Sequence, residues 1–231
     1  MTKCEIIIVK YGLPKLEAEC VASVEEHTQD VDHVLTAHDN YDADEYLSKV
    51  WNALIRASDA EYICLLNNDT RVEDKWLSKL LECFDSEENI GAVGPMTNSS
   101  SGPQGQAKHR TSHKRVMNAK YPLVGFCLVF PKAIWEVVEG FDEAYELYGE
   151  DSDFMKRVME KGYVAQVRTD VFIFHHGKSS TPIAEARGKD LKAIREASKE
   201  RYQERWTRKP KQAKKVIETP ARRYARENRK A

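Results

Sequence analysis

The sequence has no apolar run approaching the roughly 18–20 residues needed to cross a bilayer. Its start, Met1-Thr2-Lys3-Cys4-Glu5-Ile6, lacks the apolar stretch and small-residue cleavage site of a secretory signal. Cysteine is sparse and scattered. Cys4, Cys20, Cys64, Cys83 and Cys127 are odd in number and form no Cys-x-x-Cys pair. That spacing argues against zinc ligation and against a disulfide framework, and a reducing cytoplasm is the expected setting. Net charge is nearly absent as well, because 36 basic and 37 acidic residues leave −1. The balance hides a gradient. From about Glu185 onward the chain carries roughly ten more basic than acidic residues, so the remainder is acidic by about as much. No internal repeat is present. The 231 residues suffice for one substantial core, or for one core with a helical appendage.

What is there alternates strand and helix. Ile6-Ile7-Ile8-Val9 is a β-branched run, as expected of a strand buried on both faces. Leu16, Cys20, Val21 and Val24 then recur at helical spacing. His33 to Ala37 reads as a weaker strand, only half apolar. Leu47, Val50, Trp51, Leu54 and Ile55 fall at i, i+3, i+4, i+7 and i+8, which predicts an amphipathic helix. Tyr62 to Leu66 is a third strand, and Trp76 to Phe84 the next helix. Ala92-Val93 begins a short strand that Gly94-Pro95 is expected to stop. This order predicts an α/β fold with a mostly parallel central sheet flanked by helices.

Met96 to Lys120 is polar and aperiodic, and it reads as a long loop. Its Lys108, His109, Arg110, Lys114 and Arg115 suit a lid over an anionic ligand. Val124 to Phe130 is a strand, and Ala133 to Val138 and Asp151 to Lys161 are helices. Tyr163 to Val167 and Val171 to Phe174 read as two short strands. Beyond Pro182 the chain is helix-prone with little apolar surface, and Pro210 and Pro220 break it. The expected division is a domain over 1–182 and a basic, helical C-terminal tail over 183–231.

Polar groups follow four of these strands, and such ends converge on one edge of a parallel sheet, where ligands bind. Tyr11-Gly12 follows the first strand and His38-Asp39-Asn40 ends the second. Asn67-Asn68-Asp69-Thr70 follows the third, either as a turn or as a carboxylate site for a divalent cation on a diphosphate. Phe174-His175-His176-Gly177 ends a later one, where a histidine can complete a metal site or simply hydrogen-bond. Gly149-Glu150-Asp151-Ser152-Asp153-Phe154 sets three carboxylates at a helix start. They serve either as caps favoured by the helix dipole or as the source of a general base. A helix N-terminus lowers a carboxylate pKa, so a base there needs apolar surroundings or a second carboxylate to raise it.

Several segments, in order, match one pattern. They are Ile6 to Tyr11, Asp39-Asn40, Asn52, Leu65 to Thr70, Gly125-Phe126-Cys127-Leu128-Val129, Gly140-Phe141-Asp142-Glu143, Tyr148 to Phe154 and His176 to Ser180. From about Glu5 to Ser180 the chain resembles family 2 glycosyltransferases of the GT-A fold, particularly the rhamnosyltransferase-like branch. It departs from that pattern at Asn67, which stands where the family's metal motif has its first aspartate, and across Asp39 to Glu45, which lacks the usual small residues.

The resemblance implies an inverting, metal-assisted transfer of a sugar from a nucleotide-diphosphate donor to an acceptor hydroxyl. Asp69 and His176 would hold Mn²⁺ or Mg²⁺ with the donor diphosphate. Tyr11, Asp39 and Asn52 would shape the nucleoside pocket, with Asn67 and Asn68 beside Asp69 on the donor side. Asp151 would be the general base, with Glu150 and Asp142 as supporting or sugar-binding groups. Gly125 and Phe126 would lie on the acceptor side. The acceptor is open among a glycan, a lipid-linked glycan, a protein and a nucleic acid. The basic tail suits an anionic partner, a membrane surface, packing as a helix across the acidic catalytic domain, or self-association as a homo-oligomer. Two rivals stand beside this reading. One is a catalytically silent GT-A domain that only binds a nucleotide sugar or glycan. The other is a sugar nucleotidyltransferase, for which Tyr11-Gly12-Leu13-Pro14 is a poor version of the Gly-rich, basic first loop.

Overall fold

The structure is a computed structural model, and it describes residues 2–85, 89–100, 102–105 and 116–207. Strand β1 (Cys4–Lys10) lies between β2 (His33–Asp39) and β3 (Tyr62–Asn67), parallel to both. Strand β4 is Thr70–Arg71, β5 Ile90–Thr97, β6 Val116–Asn118, β7 Cys127–Pro131 and β8 Val164–His175. The sheet order is β2-β1-β3-β7-β5-β8-β4, with β6 paired to β8. Strand β7 runs antiparallel between β3 and β5, whereas β5 and β8 are parallel. The central sheet is mostly parallel, as expected, with an antiparallel strand at its centre, where β7 returns beside β3 without a helical crossover.

Ile6, Ile7, Ile8, Ile63, Cys64 and Leu65 are fully buried, which is why β1 and β3 are apolar without alternation. Helices α1 (Pro14–His27) and α3 (Trp76–Leu81) cover one face, through Cys20, Val24, Trp76, Leu77 and Leu80. Helices α2 (Leu47–Ala57), α4 (Lys132–Val137) and α5 (Glu150–Glu160) cover the other. There the Phe141 and Phe154 rings stack with centroids 4.3 Å apart, and Phe130 packs 5.1 Å from Phe154. All five cysteines are buried and unbridged. Among the described residues no helix is long and apolar enough to cross a membrane.

Two boundaries differ from the sequence expectation. Strand β5 does not stop at Gly94-Pro95 but runs on to Thr97. Its register with β8 slips between Pro95 and Met96, and a proline is tolerated at such an irregularity because no ladder N–H is required of it. On the β8 side of that slip, Pro95 faces Arg168 and Met96 faces Phe172. The two short strands expected over 163–174 are thus one strand with an irregular middle. Arg168 and Asp170 pair there at 2.6 Å, 2% and 5% exposed at their side chains.

The chain after β8 folds back as α6 (Thr181–Ala186) and α7 (Leu191–Trp206). Within the expected loop, Pro103–Gly105 forms a 3-10 turn, and Gln104 Oε1 accepts from Val124 N at 2.7 Å. Lys108, His109, Arg110, Lys114 and Arg115 lie outside the described residues, as does the tail beyond Thr207.

Candidate active site

A cavity of about 230 Å³ opens at the carboxyl ends of β1 and β3. Tyr11, Asn67, Asn68 and Asp69 line it below, Trp51 and the Glu146–Tyr148 wall beside, and Lys178 to Leu191 above. Glu17, in the first turn of α1, ties the floor together. Its buried Oε1 accepts from Tyr11 N at 2.6 Å, Leu13 N at 3.0 Å and Asn68 Nδ2 at 3.1 Å. The turn itself needs glycine: Gly12 has φ +73°, and a Cβ there would meet the Tyr41 ring at 2.7 Å.

Asp69 is 4% exposed, and its Oδ1 lies 3.1 Å from His175 Nε2. Its Oδ2 accepts from Gly177 N at 3.0 Å. Burial alone would raise the Asp69 carboxyl, but hydrogen bonding and charge from His175, with help from Ser179 and Gly177, hold it below the ordinary carboxylate value. The sequence reading put His176 beside Asp69. The structure brings the His175 side chain there, while His176 gives only its backbone N–H to the Asp69 carbonyl, at 3.0 Å. The His176 ring is exposed and rests edge-on against Phe174, 4.9 Å away.

His175 is well fixed. Its ring stacks on Phe126 at 5.2 Å, and its Nδ1 lies 3.1 Å from the Ser99 carbonyl. A carbonyl only accepts, so Nδ1 carries the proton and Nε2 turns to Asp69. In this structure Nε2 faces Asp69 Oδ1 at 3.1 Å, and a cation there would replace the shared proton and take both atoms as ligands from one side. Among the described residues no three His, Cys, Asp or Glu side chains gather as a metal site. Asp69 and His175 therefore make a two-ligand set, which fits Mg²⁺ or Mn²⁺ when substrate phosphates and waters supply the rest.

The carboxylates that open α5 have three different surroundings. Asp151 Oδ2 accepts from Gly125 N at 2.8 Å, and Oδ1 from Ser152 N at 2.6 Å. Burial raises its pKa despite these N–H groups, which resolves the conflict between helix dipole and base strength. Glu150 is 6% exposed, and its Oε2 has no hydrogen-bond partner among the described residues. Burial, then the Asp151 charge, pushes it up to about 8. Asp153 is fully buried and paired with Arg157 at 2.8 Å. The helix cap is Gly149, at φ +92°, with no side-chain cap bond.

Gly125 and Phe126 join the two halves of the site. Gly125 N binds Asp151, the Phe126 ring stacks on His175, and the Phe126 carbonyl accepts from Asn67 N at 2.8 Å. A Cβ at Gly125 would lie 3.1 Å from Asp151 Cβ and 3.6 Å from Trp51.

Other expected residues lie elsewhere. Asn52 is buried away from the cavity. Its Oδ1 accepts from Trp135 Nε1 and Phe141 N, and its Nδ2 donates to the Phe141 carbonyl and Glu143. Asp39 is exposed, accepts from Tyr41 N and does not line the cavity. Asp142 faces α7, where Arg201 grips it in bidentate fashion at 2.7–3.1 Å. Tyr11 does line the cavity, and its hydroxyl donates to Asp44 at 2.5 Å. Burial and this acid push the Tyr11 hydroxyl up to about 12. Asp44 also pairs with Lys189 at 3.0 Å, and Lys189 reaches Glu146 at 3.4 Å. Glu17, Asp44 and Lys189 were not singled out from sequence, since nothing local marks the contact of Glu17 with Asn68 or of Asp44 with Lys189.

Residues 42–136 match glycosyl transferase family 2. That stretch contains Asp69 and Gly125-Phe126 but ends before Glu150, Asp151 and His175. No curated protein matches the chain by sequence. The fold resembles a solved structure described as the crystal structure of GalNAc-T7 with UDP, GalNAc and Mn²⁺, with a TM-score of 0.59 and 10% identity. The alignment covers 75% of this chain and 43% of that one. The chain thus has the mixed α/β architecture of a GT-A glycosyltransferase, and its residues 42–136 carry the family 2 match within that fold.

Proposed function

We propose that the protein transfers a sugar from a nucleoside-diphosphate donor to an acceptor hydroxyl with inversion at the anomeric carbon. The observation that carries this is the linkage through Gly125-Phe126. One dipeptide contacts both Asp151, a half-buried carboxylate with raised pKa outside the cavity lining, and the Asp69–His175 pair, which lies in the cavity at the sheet edge. The nucleotide-sugar donor is supported by the family match and by the UDP and GalNAc bound in the solved structure of similar fold.

The cavity is lined by Asp44, Glu45, Asp69 and Glu146 against Lys178 and Lys189. A diphosphate entering such surroundings meets net negative charge. A divalent cation held by Asp69 and His175 would offset that charge and stabilise the departing nucleoside diphosphate. The chain's own groups do the rest. Asp151 takes the proton from the acceptor hydroxyl as that oxygen bonds to the anomeric carbon and the carbon–phosphate-oxygen bond breaks. Gly125 N and Ser152 N hold the Asp151 carboxylate in place. Glu150, protonated at neutral pH, avoids a second negative charge beside it.

A panel of UDP-, GDP- and dTDP-sugars, assayed for released nucleoside diphosphate with and without MnCl₂, tests the reading. Metal-dependent release with one donor supports it, and the anomeric configuration of the product decides inversion. No release with any donor, with nucleotide sugar still bound, would favour the silent binding domain.

A further inference from the structure

Helix α7 is polar, yet it is docked. Arg195, Ser198, Arg201 and Arg205 recur at spacings of three and four and so share one face. That face meets the segment from Asp142 to Asp153 at successive points. Arg201 holds both Asp142 oxygens through the Nε–Nη2 edge of its guanidinium, and Arg205 joins it at 3.1 Å. Ser198 Oγ donates to the Leu147 carbonyl at 2.9 Å. The Arg195 guanidinium lies 4.7 Å over the Tyr148 ring, and that of Arg201 lies 5.5 Å over Tyr145. Trp206, one residue further on, donates its Nε1–H to Asp153 Oδ1 at 3.0 Å.

The gripped segment contains the cavity wall, Glu146 to Tyr148, and runs directly into Glu150 and Asp151. Ser48 and Asn52 hold its first half, at Tyr145 and Glu143. Its helix begins at a left-handed glycine without a side-chain cap, after Tyr148 at φ +68°. Asp153 is fully buried and sits two residues beyond Asp151 on the same helical turn. A shift of α5 at Asp153 is therefore carried to the Asp151 carboxylate.

We infer that Arg201, Arg205 and Trp206 of α7 are positioning residues: they fix the Asp142–Asp153 segment and thereby aim the Asp151 carboxylate. The first part stands on contacts alone, and the second rests on the proposed role of Asp151 as base. On this account Asp142 is engaged by α7 and is not an acceptor ligand.

The test uses the full chain with Trp206→Phe, which keeps the ring but loses the donor, and Arg201→Lys, which cannot grip both oxygens. Hydrogen exchange of residues 142–153, measured without ligand, is expected to quicken about tenfold relative to β1 and β3. With the donor identified by the panel, kcat is expected to fall about tenfold or more, with donor KM within about twofold. The acid limb of the kcat profile is expected to move, because the surroundings of Asp151 change. Unchanged exchange across 142–153 overturns the inference. So does a lower melting temperature with kcat and its pH profile intact, which is what a merely structural helix gives. Asp151→Asn separates the two readings: if it retains turnover, the base assignment fails, while faster exchange in the α7 variants still supports the clamp.

Discussion

Gly125 donates its backbone N–H to Asp151 Oδ2 at 2.8 Å, and a Cβ at Gly125 would sit 3.1 Å from Asp151 Cβ. The close approach of this loop to the helix start is possible because residue 125 has no side chain. Gly125→Ala is expected to push Asp151 away from the loop, lowering stability by about 1–3 kcal/mol and kcat by about tenfold or more. Melting temperature and steady-state kinetics on one preparation check both effects. Wild-type kcat in the alanine variant would show that the contact is incidental.

Asp69 and the two neighbouring histidines give a sharper test of the cation site. Asp69→Ala and His175→Ala are each expected to abolish metal-stimulated release of nucleoside diphosphate. His176→Ala, whose ring is exposed on Phe174, is expected to keep most activity. Binding of Mn²⁺ in the presence of nucleoside diphosphate, followed by electron paramagnetic resonance, reads the site without turnover. Full activity of the wild type in excess chelator would remove this role from Asp69 and His175.

Glu150 makes stability depend on pH. Burial, with the Asp151 charge, raises it from 4.5 in the unfolded chain to about 8 in the folded one. The folded state therefore holds this proton more tightly. Its contribution is fully present below about 4.5 and is lost as pH rises through about 8. Urea unfolding at a series of pH values between 5 and 9 is expected to show stability falling up to about pH 8 and levelling above it. Glu150→Gln is expected to flatten that slope. An unchanged slope in the variant would place the titration elsewhere.

Much of the fold was legible because the central strands are buried on both faces. Ile6-Ile7-Ile8 and Ile63-Cys64-Leu65 had to be apolar without alternation, and α2 carried a clean helical stripe. That the basic tail could pack across the acidic domain was legible from the charge gradient, but which face of α7 docks was not, because its contacts use Arg195, Ser198, Arg201 and Arg205, and a hydropathy pattern reads such a face as solvated. The join in β8 was hidden by Arg168 and Asp170, polar residues that satisfy each other inside the sheet. At the site, Asp69 and Asp151 were legible as acids after a strand and before a helix. Which of His175 and His176 meets Asp69 was not, since it depends on the pairing of Thr70 with His175 across two short strand ends. Asn52 illustrates the opposite error of scale. It is a polar residue with four internal hydrogen bonds that braces the Phe141–Glu143 loop.

The basic tail offers a separable prediction. Among the described residues the contacts that dock α7 end at Trp206, and deleting the chain from Arg208 onward is expected to leave the melting temperature unchanged. If the tail recruits an anionic acceptor or surface, the deletion weakens binding to heparin or anionic vesicles and flattens its salt dependence. A changed oligomeric state with unaltered anion binding would instead assign the tail to self-association.

The most direct measurement is kcat of Asp151→Asn beside its donor affinity and melting temperature. A base acts in the transition state, so the account predicts a kcat lower by about a thousandfold, with donor affinity within a few-fold and the fold intact. Turnover close to wild type, with stability lower by about 0.5–2 kcal/mol, would mean that Asp151 only supports the start of α5, and it would contradict the account.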